Sequence, residues 1–170
     1  MVTGKLTAVA QPLEAIKEPP LAVLRDYWRD TARGRPCVPS SELRPEKFAA
    51  ALEHTAIVER LEQPRRGHRI RLCGADMENR DFGILRGAFI EDAQPPWYRD
   101  HLVSEITGAL ARARPLYQHV DAEIDKRSFS FARLLLPLTS GGGACDMLLV
   151  ATVRPSDSVV SAIRARLALA

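Results

Sequence analysis

Residues 127–154 constrain the fold more than any other stretch. They read R-SFSFARLLLPL-TSGGG-ACDMLLVATVR and are the most apolar part of the chain. Phe129, Phe131, Leu134, Leu135, Leu136 and Leu138 precede a Thr-Ser-Gly-Gly-Gly break. Met147, Leu148, Leu149, Val150 and Val153 follow it. Two runs of strand length split by a glycine-rich turn predict a β-hairpin. Their apolar character is near-continuous rather than alternating, as in strands covered on both faces. Helices or a partner must therefore do the covering.

The rest of the chain supplies candidates. Residues 1–20, interrupted by Pro12, Pro19 and Pro20, read as a flexible N-terminal arm. From Leu21 the pattern becomes helical: Leu21, Leu24 and Trp28 share one stripe, with Val23 and Tyr27 beside them, and Gly34 and Pro36 end the helix 21–33. Residues 34–45 form a Pro- and Ser-rich connector before a short helix over 45–53. Strands are predicted at 55–61 and 68–73, joined by the turn Gln-Pro-Arg-Arg-Gly. Brief helical turns at 75–80 and 82–85 lead to a longer helix over 97–114, striped by Leu102, Ile106, Ala109 and Leu110 and stopped by Pro115. Residues 116–124 alternate cleanly, as a third strand. The segment 155–170 is read as a C-terminal helix, with Val159, Val160, Ile163 and Leu167 on its stripe. The predicted architecture is α+β: a five-stranded antiparallel sheet with short helices on one face and flanking N- and C-terminal helices.

Composition narrows the function classes. A length of 170 residues suits one domain. No apolar run approaches the ~20 residues of a membrane span, and the N-terminus lacks the apolar core of a signal peptide. Cys37, Cys73 and Cys145 are odd in number and show no metal-type or redox-type spacing. These features make a cytoplasmic location and no membrane partner the expectation. A net charge of +3 does not demand an anionic partner.

Three stretches carry a resemblance. They are DYWRDTARGRPCVPSSELRP at 26–45, IRLCGADM at 70–77 and RLLLPLTSGGGACDMLLVA at 133–151. In this order and spacing the chain resembles a bacterial family of small PAS-like proteins that often stand alone, over residues 21–153. Glu42-Leu43-Arg44-Pro45 replaces the family's Asp-Ile-Asp-Pro, Ile84-Leu85-Arg86-Gly87 its Leu-Thr-Gly stretch, and Phe131-Ala132-Arg133 its aromatic-acidic approach to the arginine. The resemblance implies a PAS-like domain at 21–154, including its N-terminal helix, and a role in sensing or protein interaction. It implies no cofactor, which is left unknown.

Each candidate site has an ordinary structural reading beside the functional one. Arg65, Arg66, Arg69 and Arg71 with His68 form a basic cluster, and Arg65 and Arg69 have the spacing of PilZ-type cyclic-dinucleotide binders. No Asp/Asn-x-Ser-x-x-Gly accompanies them, so a solvated turn is the better reading. No aromatics interleave with the charges, so no nucleic-acid partner is expected. His54, His68, His101 and His119 are scattered, and no metal site is predicted. His101 is the candidate should a haem bind, against an ordinary surface histidine. The glycines at 141–143 join two strands, unlike a phosphate loop, which opens a helix. Glu91-Asp92 and Asp121, Glu123 and Asp125 have no nucleophile beside them, and no catalytic residue is assigned.

Arg133 is the odd residue of the central strand. A charge there needs a partner or an opening to water. It can snorkel, or it can anchor an acidic ligand or an Asp/Glu of the helical side. A ligand pocket is expected among Phe82, Leu85, Phe89, Phe131 and Arg133. Tyr27 and Trp28 are more often core than contact, and the sheet's second face must be covered by the first helix, the last helix or a second copy; homodimerisation through Leu21, Leu24, Tyr27 and Trp28 is the expectation. The expected function is a non-catalytic PAS-like signalling module that binds a small molecule or a regulatory protein partner. No output domain fits beyond the core, so the signal would pass through that partner. The alternatives are a pure interaction scaffold with a filled pocket, and a small α+β-barrel hydrolase or isomerase using His119 and Asp121.

Overall fold

The computed structural model describes residues 3–80 and 85–154. The expected helix over 155–170 and residues 82–84 of the second helical turn lie outside them. The chain is α+β. Among the described residues there are seven strands: β1 (Gly4–Gln11), β2 (Val38–Pro39), β3 (Thr55–Arg60), β4 (His68–Cys73), β5 (Leu116–Ile124), β6 (Arg127–Thr139) and β7 (Met147–Val153). Its helices are α1 (Pro19–Ala32), α2 (Ala75–Arg80) and α3 (Pro96–Arg112), with 3-10 turns between them. One sheet runs β1-β5-β6-β7-β3-β4, and β2 pairs in parallel with β6. All other pairings are antiparallel.

The hairpin β6–β7 sits at the middle of this order, as its apolar character demands. The seven strands exceed the expected five because β1 and β2 join the sheet. The flexible arm expected over residues 1–20 is corrected here. Gly4 to Gln11 pair along their whole length with β5, from Gly4 opposite Ile124 to Gln11 opposite Tyr117. Leu6 and Ala8 turn inward while Lys5, Thr7 and Val9 face water. Pro19 and Pro20 occupy the first turn of α1, where a missing N–H costs nothing. Arg33 and then Gly34 take positive φ and end α1.

Two cores flank the sheet. On the outer face Leu134, Leu136, Leu138, Met147 and Leu149 pack with Leu21, Leu24 and Trp28 of α1 and with Phe48 and Ala51 of the 3-10 segment Pro45–His54. On the inner face Val58, Ile70, Leu135, Leu148 and Val150 pack with Tyr98, Ile106 and Leu110 of α3 and with Ile90. Each such side chain contributes about 1.5–3 kcal/mol on leaving water. Helices thus cover both faces of the hairpin from within one chain.

That corrects the residues named for a dimer interface. Leu21 and Leu24 are 0% exposed and Trp28 7%. Trp28 Nε1 donates to the Pro137 carbonyl of β6 at 2.9 Å. Tyr27 is half-buried and its hydroxyl accepts from the Arg44 amide at 2.6 Å. Leu21, Leu24 and Trp28 are spent on the chain's own core and offer nothing to a second copy.

The fold also joins two cysteines that sequence spacing did not connect. Cys37, just before β2, and Cys145, in the β6–β7 loop, form a disulfide across 108 residues, with Cα atoms 5.9 Å apart. Such bonds persist mainly in oxidising compartments, which removes the cysteine-based reason for a cytoplasmic expectation. Among the described residues no helix is long and apolar enough to cross a membrane.

Candidate functional site

Strand register builds a polar row into the inner face. Gln118 of β5 stands opposite Arg133 of β6, and Arg133 opposite Thr152 of β7. All three are buried: Gln118 is 4% exposed, Arg133 4% and Thr152 3%. Period-two alternation forces them to the same side as Phe131, Leu135 and Val150. α3 crosses this side, and its residues 98, 102 and 105 recur at helical spacing. Tyr98, Leu102 and Glu105 accordingly face the sheet together.

Arg133 is held from three directions. Its Nε donates to Gln118 Oε1 at 3.0 Å. Its Nη2 lies 3.2 Å from His101 Nε2 and 3.4 Å from Glu105 Oε2. Gln118 Nε2 donates to the same Glu105 oxygen at 2.6 Å, closing a ring of bonds between sheet and helix. The snorkelling alternative fails, and the pairing with an acid of the helical side holds.

The electrostatics follow from this burial. Loss of water pushes the His101 pKa down to about 4, and the Arg133 charge adds to the shift against a smaller opposing pull from Glu105. His101 is therefore neutral at pH 7 and accepts a proton bond from Arg133. That use of Nε2 occupies the lone pair a haem iron would need. Burial pushes the Tyr98 hydroxyl well above its ordinary pKa, with Arg133 pulling the other way. Burial also lowers Arg133, opposed by Glu105 and then Tyr98.

A cavity of about 50 Å³ lies between the sheet and the helices. Its walls are mostly apolar, among them Leu6, Val58, Ile70, Ile90, Leu102, Ile106 and Leu135. Glu105, Arg133, Thr152 and Arg154 supply the polar part, and the Arg154 guanidinium lies over the Phe131 ring at 5.3 Å.

Of the residues expected in a pocket, Phe131 and Arg133 line this cavity. Leu85 does not: it is 53% exposed in the loop before Gly87. Phe89 is half-buried and instead carries the Arg66 guanidinium at 5.5 Å. Phe82 lies outside the described residues. Glu105, Gln118, Tyr98 and Thr152 were missed, and His101, considered only as a haem ligand, bonds Arg133 instead. The helical stripe containing Leu102 and Ile106 was the available signal, since Glu105 adjoins it and Arg133 needed an acid.

The other sequence candidates fall elsewhere. His119 and Asp121 project from the outer face, opposite the cavity, and both are exposed. His119 Nε2 lies 2.9 Å from the Tyr117 hydroxyl, and Asp121 accepts from Ser130 at 2.6 Å. The barrel-enzyme reading drew its support from this pair lying in the cavity, and the pair lies on the other face. In the basic cluster, Arg69 and Arg71 face Glu59 at 2.5 and 4.0 Å, and Arg66 faces Asp92 at 3.2 Å. His68 bonds Glu91 at 2.7 Å and His54 bonds Asp76 at 2.9 Å. Among the described residues no cluster of three metal-ligating side chains forms. The loop 140–143 joins β6 to β7, and Asp146 accepts from the Ser140 amide at 2.8 Å.

No family model matches the chain, and no curated protein does. Among solved structures it is similar to that of an RNA-binding Light-Oxygen-Voltage receptor. The TM-score is 0.44 and the identity 14%, over 98% of this chain and 44% of the other. The chain thus spans less than half the length of that protein.

Proposed function

We infer that the chain is a PAS-like, non-catalytic sensory module. What supports the reading is the strand order. The first core hairpin, β3–β4, lies beside the last strand β7, and the helices enter between β4 and β5 to cover the inner face. The observation that carries it is the cavity between sheet and helices, with a buried, ring-bonded Arg133 in its wall. A bound small molecule would touch the sheet through Arg133 and Thr152 and the helix through Leu102 and Glu105. Contacts that differ between two packings of α3 on the sheet shift their populations. A regulatory protein would read the outcome.

The small volume favours one second reading, an interaction scaffold whose pocket is filled. About 50 Å³ accommodates only a few water-sized spheres. Native mass spectrometry beside an absorption spectrum separates the two. A copurified small-molecule mass supports the sensor. A bare protein mass, with no shift on exposure to a metabolite library, overturns it in favour of the scaffold.

A further inference from the structure

We propose that the open edge of β1 pairs antiparallel with β1 of a second copy, joining two sheets into one across a two-fold axis at Thr7. β1 ends the strand order and has β5 on one side only. The Asp125 amide donates to the Thr3 carbonyl at 3.0 Å, which sets the phase of the ladder. Alternation then turns the backbone groups of Lys5, Thr7 and Val9 toward β5 and those of Gly4, Leu6, Ala8 and Ala10 away from it. Among the described residues none bonds these outward N–H and carbonyl groups. The opposite edge of the sheet is covered. There the Ile70 amide of β4 donates to the Ala88 carbonyl at 2.9 Å, and the Ile70 carbonyl accepts from the Gly87 amide at 2.7 Å. β1 carries little of the usual protection of an edge strand. Its register runs unbroken, it contains no proline, and Lys5 is its one charge.

The strand complements itself. With Thr7 on the axis, Gly4 faces the partner's Ala10 and Leu6 the partner's Ala8. Each such pair exchanges two backbone hydrogen bonds, about eight in all. Moving the axis to Leu6 or Ala8 shortens this ladder. On the outer face Thr7 meets the partner's Thr7, and Lys5 lays its stem along the partner's Val9. Val9 is 49% exposed and gains cover. Lys5 keeps Glu123 of its own chain on its other side, so no like charges oppose each other. On the inner face the facing pairs are all apolar. Dissociation leaves each copy folded, because β1 keeps its ladder to β5. The contact is small, so a dissociation constant on the order of 10–100 µM is expected.

The test is analytical ultracentrifugation of the full chain from about 1 µM to about 1 mM, beside amide hydrogen exchange read by NMR at both ends of that range. Dimer should accumulate with concentration. Exchange at Leu6, Ala8 and Ala10 should slow with it, while Lys5, Thr7 and Val9, bonded to β5, are slow throughout. Ala8→Pro removes only an outward N–H, where an edge strand tolerates proline, and should weaken association about tenfold or more. Thr7 is exposed. Thr7→Lys sets two lysines face to face on the axis and should weaken association likewise, and mixing it with Thr7→Glu should restore pairing. Val23→Lys, on the exposed side of α1, should change nothing. A chain that stays monomeric to about 1 mM overturns the proposal, even if a foreign peptide then slows those amides. Association indifferent to both Ala8→Pro and Thr7→Lys lies elsewhere and overturns it too. Slow exchange at Leu6, Ala8 and Ala10 in the dilute monomer means that the chain covers this edge itself, with the same consequence. Wild-type exchange reads the edge directly, so a variant that fails to fold does not block the decision.

Discussion

Arg133 could sit in the middle of an apolar sheet only because α3 brings it an acid. Removing one member of a buried ion pair leaves the other charge uncompensated and is far costlier than replacing both. Glu105→Ala should therefore lower the unfolding free energy by about 2–3 kcal/mol in urea denaturation. The double replacement Arg133→Met with Glu105→Leu should cost clearly less; equal losses would show the two to be uncoupled. His101 gives a pH signature. Its folded pKa of about 4 lies below its ordinary 6.5. Above 6.5 both folded and unfolded states hold it neutral, so it has no effect. Between 6.5 and 4 only the unfolded state takes the proton, so stability falls as the pH falls through this window. His101→Gln should flatten that part of the stability curve, measured by thermal melts at half-unit steps. The need of Arg133 for a partner was legible in the sequence. The partner was not, because Glu105 is brought close by helix-on-sheet packing rather than by neighbouring positions.

Elements with a strong local period were the easiest to read. Leu116–Ile124 alternates without a fault and is a strand over the same residues. Proline at the start and left-handed residues at the end bound α1 and α3. β1 was missed because its alternation is short and its surroundings rich in proline. An edge strand gains stability only from the neighbour it pairs with, and β5 lies more than a hundred residues later. Gly74 marks another element-level constraint. It follows β4, and a Cβ there would collide with the backbone carbonyls of Leu52 and Glu53. Backbone cannot yield as a flexible side chain can. Gly74→Ala should therefore cost about 2 kcal/mol or more in chemical denaturation, whereas alanine at the open Gly141 should cost little.

At the scale of the molecule, both faces of the sheet are covered from within the chain. Trp28→Ala removes a large buried side chain and a bond to Pro137. A loss of about 3–5 kcal/mol is expected. It should be independent of protein concentration, whereas a dimer held through α1 would give a midpoint that rises with concentration. The disulfide makes a second whole-molecule prediction. It closes a loop of 108 residues, which in the chain-entropy picture is worth up to about 4–5 kcal/mol. Cys37→Ser should lower the melting temperature without reductant, and reductant should lower the wild type to match it.

The sequence by itself determined the α+β class, the central apolar hairpin, the strands at β3 to β7 and the two principal helices. Those follow from periodicity, proline and glycine, which act over a few residues. Tertiary structure decided what no local pattern encodes. It set β1 at the sheet edge and joined Cys37 to Cys145. It also closed the ring of Arg133, Gln118 and Glu105 around a small cavity. Each of these depends on chain segments that meet only after the sheet has formed, so the energy that favours them is absent from any short stretch of sequence.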